Sequence, residues 1–153
     1  MSQLVTNILD ADQLNGTLMK RYDSDGKIWI YALAHGDLTA NTAYKVIMNE
    51  YGRVTAALAD DTTAHWYYVG VPAAAVTSGT YEWLQIGGYN SALVVSNFTC
   101  TQGYGIKIYD GVVTSSGADF SGIAGEFGVC TADAAAASTV GIMLTGELIE
   151  GTS

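Results

Sequence analysis

Hydrophobic and polar residues alternate along much of this chain, which is the pattern of a β-strand with one buried face. The clearest example is 104–109, where Ile106 and Ile108 share one face and Lys107 and Tyr109 share the other. Other segments have the β-branched and aromatic composition of strands, and they lie at 27–33, 43–48, 53–58, 64–71, 80–86, 92–95, 112–113, 122–130 and 140–144. We predict an all-β fold of about eight to ten short strands, without a helix of three or more turns.

Turn-forming residues separate these segments at intervals of about 8 to 12 residues, which is typical of a β-sandwich or β-barrel. Asp23-Ser24-Asp25-Gly26 and Asp110-Gly111 favour tight turns, because Gly takes a positive φ without steric cost. Residues 49–52 are predicted to close a hairpin, and Gly87-Gly88 to end a strand. Because neighbouring strands are expected to pair, we predict a single compact β-barrel or sandwich with mostly antiparallel strands.

Two segments do not fit the strand pattern. Pro72, the only proline, opens a run of small residues that Gly79 closes, and this arrangement favours one short helical turn. The stretch 132–137 consists mainly of alanine, and it is compatible with either a helical turn or a loose loop.

The first 20 residues lack clear periodicity and are predicted to form an N-terminal arm, with the β-domain spanning 21–153. Apolar residues in this arm are candidates for contact with a partner or a neighbouring subunit: Leu4, Val5, Ile8 and Leu9. The alternative is a disordered terminus.

The composition limits the possible partners. The net charge is −9, and only 14% of the residues are charged, against about 25% in ordinary domains. Binding to nucleic acid or to an anionic membrane needs clustered Lys and Arg, and only Lys20 and Arg21 are adjacent here. We therefore expect neither partner. No apolar stretch approaches the roughly 20 residues of a membrane span, and no signal peptide is visible, so synthesis in a cytoplasm is expected.

Few residues of this chain are suited to catalysis or to binding a cofactor. His35 and His65 are 30 residues apart without cysteine or carboxylate partners at a metal-ligand spacing, and no nucleophile elbow occurs. The Asp-x-Asp-Gly turn resembles part of a calcium loop, but the remaining ligands are missing. Cys100 and Cys130 are predicted to be buried free thiols rather than a bridge or a site. We expect no enzyme activity, no metal and no cofactor.

The chain has three tryptophans, Trp29, Trp66 and Trp83, together with ten tyrosines. Aromatic residues of this kind are enriched both in cores and in subunit interfaces, and these are the two roles we expect. A sugar-binding aromatic platform is the third possibility.

Four segments together resemble the small decoration, or cement, proteins of tailed-bacteriophage capsids. They are 68–88, 105–113, 125–132 and 140–146, and the resemblance extends over roughly 42–146. In that family a Gly-Val-Ala strand is followed by a Gly-centred turn into an aromatic strand, an Asp-Gly hairpin and a last β-branched strand. The motifs consist of turn glycines and small apolar residues rather than reactive groups.

The resemblance implies a β-barrel-like subunit, commonly trimeric, that binds the major capsid protein on the outer surface of the virion head and stabilises the shell. An acidic subunit suits that position, because packaged DNA would repel it from the interior. The alternative is a virion module that binds carbohydrate or a host receptor through its aromatic residues. A hydrolase would need two carboxylates brought together by the fold.

Overall fold

The computed structural model describes residues 19–47, 53–54, 66–109, 112–122 and 125–150. Within these residues the fold is all-β, as predicted, and no helix occurs. The eleven strands are β1 Met19–Tyr22, β2 Ile28–Ala34, β3 Tyr44–Ile47, β4 Arg53–Val54, β5 Trp66–Pro72, β6 Tyr81–Cys100, β7 Tyr104–Tyr109, β8 Val112–Asp119, β9 Glu126–Cys130, β10 Ala134–Thr145 and β11 Ile149–Glu150.

Five consecutive antiparallel pairs form the basic units of the sheet: β1–β2, β3–β4, β5–β6, β7–β8 and β9–β10. This confirms the prediction that neighbouring strands pair. Longer-range pairings then join the units in the order β1-β2-β4-β3-β5-β6-β10-β9-β7-β8, and β2–β4 is parallel. β2 also pairs with β6, so the strands β2, β4, β3, β5 and β6 form a closed ring of hydrogen-bonded neighbours. The whole sheet does not close into one barrel, and the architecture is sandwich-like.

Two hydrophobic cores lie on the two sides of β5. Side chains of β2, β3 and the first half of β6, such as Ile30, Val46 and Leu84, build one core. The second half of β6 and strands β7 to β10 build the other. Tyr68 packs into the first core, whereas Tyr67 and its alternate neighbours in β5 pack into the second. β5 is therefore buried on both faces, which explains its nearly continuous hydrophobic sequence.

The prediction that Gly87-Gly88 ends a strand is wrong, because both glycines lie inside β6. The strand continues through both glycines for 20 residues. Gly87 pairs with Ile28 of β2 and with Thr145 of β10, so it marks the point where β6 leaves one set of strands and joins the next. Gly88 has a φ of 86°, which bends the strand there without ending it.

The two segments with predicted or possible helical turns contain none. After Pro72 the chain forms turns, and Val76 exchanges two backbone hydrogen bonds of 3.0 and 2.9 Å with Leu38. Those bonds satisfy the groups that a helical turn would have paired locally. The alanine-rich stretch enters β10, where Ala134 pairs with Cys100 of β6. In both segments, backbone pairing with a residue distant in sequence sets the conformation of the chain.

The prediction of free thiols is wrong, because Cys100 and Cys130 form a disulfide. The bond joins the end of β6 to the end of β9, with a distance of 6.0 Å between the α-carbons. Both residues are 1% exposed and belong to the second core. β10 pairs with both β6 and β9 and so brings the two cysteines together. This pairing is long-range, and the separation of 30 residues between the cysteines did not predict the disulfide.

Candidate binding surface

Strand alternation places four aromatic side chains on the outer face of β2 and β6. Ile30, Ala32 and Ala34 of β2 point into the core, so the intervening residues point outward. The register sets the outward residues of β2 opposite those of β6, with Tyr31 facing Trp83. We call the half-buried side chains of Trp29, Tyr31, Tyr81 and Trp83 the aromatic face.

Three rings of the aromatic face contact one another directly, and the fourth, that of Trp29, is joined to them through Arg21. Tyr31 stacks on Tyr81 with ring centroids 5.5 Å apart, and its centroid lies 4.9 Å from that of Trp83. The guanidinium carbon of Arg21, on β1, lies 4.9 Å from the ring centroid of Trp83 and 5.0 Å from that of Trp29. Arg21 therefore links the two tryptophans through cation–π contacts.

Asp23 fixes both Arg21 and Trp29. Its Oδ1 accepts a hydrogen bond of 3.0 Å from Arg21 Nε, and its Oδ2 accepts one of 2.8 Å from Trp29 Nε1. The charge of Arg21 is thus paired, and the only polar atom of the Trp29 side chain is occupied. What Trp29 offers to a ligand is the apolar surface of its ring.

A cleft of about 210 Å³ adjoins the aromatic face at the bend of β6. Trp29 contributes aromatic surface to it, the backbone around Tyr89 borders it, and its polar lining includes Lys27, Asn41, Gln85, Asn90 and Ser91. We call it the β6 cleft. It combines a tryptophan ring with several uncharged hydrogen-bonding groups and one lysine, which is the composition of sites for small polar ligands.

Gln85 holds the wall of the β6 cleft in place. Its side chain is 3% exposed, and its Nε2 donates to the carbonyl oxygens of Gly87 and Tyr89 at 3.1 and 3.0 Å. Its Oε1 accepts a hydrogen bond of 3.0 Å from Asn90 Nδ2. Asn90 Oδ1 in turn accepts from the backbone N–H of Ala92 at 3.1 Å. The two amides therefore fix the backbone that carries Tyr89, and most of their own hydrogen-bonding groups are used.

Asn41 differs from the other amides of the cleft. Its backbone N–H donates to Pro72 O, and its carbonyl oxygen accepts from Val94 N, both at 2.8 Å. Its φ is 58°, and among the described residues it is the one non-glycine residue with a positive φ. Within that same part of the chain its side-chain amide has no hydrogen-bond partner. Asn41 thus presents a free amide to the cleft from a backbone held at both ends.

The structure places only some of the predicted contact residues. Trp29 and Trp83 lie on the aromatic face and belong to neither core. The backbone of Trp66 lies in β5, and its side chain falls outside the described part of the chain. The same holds for the apolar arm residues Leu4, Val5, Ile8 and Leu9. The first strand begins at Met19, within the segment predicted as arm.

No group of three or more His, Cys, Asp or Glu side chains able to hold a metal ion occurs among the described residues. In the Asp23–Gly26 turn, Asp25 Oδ1 accepts from the backbone N–H of Lys27 at 3.1 Å. The described strands and loops also include no helix that could cross a membrane.

Sequence reasoning did not identify the β6 cleft. Gln85 and Asn90 both lie in β6, but Asn41 precedes β3, and only long-range hydrogen bonds bring it to the same cleft. A partial signal was the outward position of Trp29 and Trp83 in alternating strands, which pointed away from the core.

No protein-family model matches this chain, and neither does any curated protein sequence. Among solved structures, the chain is similar to the N-terminal base of the head fiber protein gp8.5 of bacteriophage phi29, at 14% sequence identity and a TM-score of 0.46. The match covers 79% of this chain and 96% of the phage chain.

Proposed function

We propose that this protein is a structural subunit of a tailed-bacteriophage virion, which decorates the outer surface of the head and stabilises the shell. The observation that carries the proposal is a row of exposed apolar side chains on a β-sheet whose strands are tied together by a buried disulfide. The likeness of 68–88 and three further segments to capsid decoration proteins supports the same role.

The row lies on the outer face of the β6–β10 pair. Val94 is 42% exposed and Met143 is 46% exposed, whereas Leu93 and Ile142 on the same strands are fully buried. Tyr89, the cross-strand partner of Met143, is 47% exposed. We call these three residues the β6–β10 strip. Single exposed apolar residues are ordinary, but a row along two paired strands is suited to a protein partner.

The scaffold suits broad, non-catalytic contact. The buried disulfide joins the ends of β6 and β9 in this sheet, so little ordering is needed when a partner binds. A subunit that binds the assembled shell and not its dissociated parts stabilises the shell by mass action. With a net charge of −9, the exterior of the head is the favourable side, away from packaged DNA.

A homotrimer would match the three-fold positions of an icosahedral shell. Linking three weak contacts raises apparent affinity by about 10² to 10⁴ without new contacts. The N-terminal arm supplies a second contact in this proposal, because it precedes β1, which among the described strands pairs only with β2 and so lies at the edge of the sheet. The partners are the major capsid protein and two further copies of the chain.

The direct test adds purified protein to expanded heads that lack it. We expect saturable, stoichiometric binding and a higher melting temperature of the heads by calorimetry, and light scattering of the free protein should give the mass of a trimer. Heads that melt at the same temperature with and without saturating protein would reject the proposal.

Substitutions then locate the contact. Val94→Glu combined with Met143→Glu should abolish binding to heads, because a carboxylate buried in an apolar contact loses its hydration. Leu148→Glu is the matched control, since Leu148 is an exposed apolar residue outside the strip. Removal of 1–18 tests the arm, and it should weaken binding while the melting temperature of the free protein is retained.

A further inference from the structure

From the β6 cleft and the aromatic face we infer a binding site for a neutral saccharide, with one sugar unit seated in the cleft and the rest of the oligosaccharide lying across the aromatic face. The aromatic face shares no residue with the shell contact proposed above, and the cleft shares only Tyr89 with it. The aromatic face follows the first half of β6, whereas the β6–β10 strip follows the second half.

The chemistry of the lining identifies the ligand class. Sugar rings have apolar C–H faces and hydroxyl groups around their edges, so they need flat apolar surface beside donors and acceptors. Trp29 gives the cleft aromatic surface, and Asn41, whose amide no described residue bonds, and the exposed Ser91 give it hydrogen-bonding groups. An amide both donates and accepts, which is what a hydroxyl requires.

Charge favours a neutral ligand over an anionic one. Arg21 is held between two tryptophans and bonded to Asp23, and Lys27, which lines the cleft, has its Nζ paired with Asp25 Oδ2 at 3.7 Å. The chain as a whole carries a net charge of −9, which repels sulfated or sialylated glycans.

The size and continuity of the surface favour an oligosaccharide. At about 210 Å³ the cleft is smaller than the roughly 300–1,000 Å³ of pockets for drug-sized ligands, so it suits a single sugar unit. Trp29 belongs to both the cleft and the aromatic face, so a chain of sugars can continue from one to the other. Beyond Trp29 the path crosses Arg21, which lies between the two tryptophans, and then reaches Trp83 and Tyr31.

The site is also preorganised. Gln85 and Asn90 fix the cleft wall through their amide hydrogen bonds, and Asp23 fixes the orientation of the Trp29 ring. Both backbone groups of Asn41 are bonded to neighbouring strands. A site that is already ordered spends less free energy on binding, which matters for the weak contacts that sugars make.

The experiment uses the free full-length protein, so its outcome does not depend on binding to heads. An array of neutral oligosaccharides of glucose, xylose, mannose and N-acetylglucosamine, with sulfated and sialylated glycans alongside, is followed by calorimetry on the best ligand. We expect saturable binding to at least one neutral series, quenching or enhancement of tryptophan fluorescence on binding, and little binding of the anionic glycans.

Asn41→Gly is the sharpest variant, because glycine accepts the positive φ of this position and only the amide is lost. It should weaken binding by about tenfold, as expected for one lost hydrogen bond, without lowering the melting temperature. Trp29→Ala should weaken binding by at least about tenfold, in line with aromatic stacking losses. Tyr22→Ala removes an exposed aromatic ring that does not line the cleft, and it should leave affinity unchanged.

The absence of saturable binding to every neutral oligosaccharide would overturn the inference. So would binding that both Asn41→Gly and Trp29→Ala leave intact, or equal affinity for anionic glycans. If the protein binds heads but no saccharide, the proposed structural role remains and the saccharide site is rejected. If it binds a neutral saccharide but not heads, the saccharide site remains and the structural role is rejected.

Discussion

The carboxylate of Glu126 lies over the α-carbon of Gly105, in the space that the β-carbon of any other residue would take. From there Glu126 Oε2 accepts hydrogen bonds of 3.0 Å from the backbone N–H groups of Ser121 and Gly122. The hydroxyl of Ser121 donates to the same oxygen at 3.3 Å. Glycine at 105 thus lets one carboxylate of β9 hold the end of the segment that follows β8.

Glu126 should make stability depend on pH in the acid range. Burial acts to raise the pKa of Glu126, but hydrogen bonds from the Ser121 backbone, the Ser116 hydroxyl, the Gly122 backbone and the Ser121 hydroxyl outweigh it and hold the pKa below its ordinary value of 4.5. A lowered folded-state pKa stabilises the fold above the unfolded-state value, and that stability is lost as pH falls through the folded-state value.

The variant Glu126→Gln tests this. At pH 7 it should be less stable than the wild type by about 1 kcal/mol or less, because the site is largely open to solvent. The difference should shrink below pH 4.5 and disappear once Glu126 is protonated. Urea denaturation of both proteins between pH 7 and pH 3 measures it, and a difference that does not change with pH would contradict the role given to the carboxylate.

Gly105→Ala should act through the same carboxylate. The new methyl group displaces Glu126, which is the flexible end of a side chain, so the expected loss is that of the hydrogen bonds to Ser121 and Gly122, about 1 kcal/mol at pH 7. In the double variant with Glu126→Gln the two losses should not add, because both remove one interaction. Fully additive losses in urea denaturation would show that the two positions act independently.

The bend of β6 gives a prediction with a closely matched control. Gly88 and Gly79 have φ of 86° and 85°. A β-carbon at Gly88 would lie 2.7 Å from the carbonyl oxygen of Gly26, whereas one at Gly79 would have no atom within 4 Å. Gly79→Ala should cost about 1–2 kcal/mol from backbone strain alone. Gly88→Ala should cost about 3 kcal/mol or more, since overpacking against backbone is added. Equal losses in denaturation experiments would mean that the close contact has no cost.

The features that could be predicted from sequence are those set by residues close together in the chain. The β7–β8 hairpin followed from the alternation of Ile106 and Ile108 and the Asp-Gly pair, and Tyr109 indeed pairs with Val112. The turn residues 110 and 111 themselves lie outside the described part of the chain. The antiparallel pairing of Val46 with Val54 confirms the hairpin expected around 49–52, although 49–52 also falls outside that part.

Long-range pairing decided what the sequence pattern could not. Two adjacent glycines locally resemble the end of a strand, yet Gly87 continues β6 because β2 and β10 both bond to it. The disulfide and the β6 cleft depend on the same kind of information. Asn41 lies in a polar segment between strands, and only its hydrogen bonds to Pro72 and Val94 bring its amide to the cleft.

Arg21 should be sensitive even to replacement by lysine. Arg21→Lys keeps the positive charge but loses the planar contact with Trp29 and Trp83 and the hydrogen bond from Nε to Asp23. We expect a loss of stability of about 0.5–1 kcal/mol, typical of an exposed cation–π contact, and a changed tryptophan emission spectrum. Lys20→Arg, one residue away, is the control and should leave the emission of Trp29 and Trp83 unchanged. Identical spectra for Arg21→Lys and the wild type would show that the guanidinium does not contact the rings in solution.

The disulfide should contribute substantially to the stability of the second core. Cys100→Ala combined with Cys130→Ala keeps small apolar side chains at both positions but removes the link between β6 and β9. Closing a loop of this length stabilises a protein by about 2–4 kcal/mol, so the double variant should unfold at a correspondingly lower urea concentration. Reductant should bring the wild type close to the double variant and leave the double variant unchanged. Because both sulfurs are buried, thiol titration of the unreduced protein in denaturant reports on the bond itself, and two reactive thiols per chain there would show that it does not form.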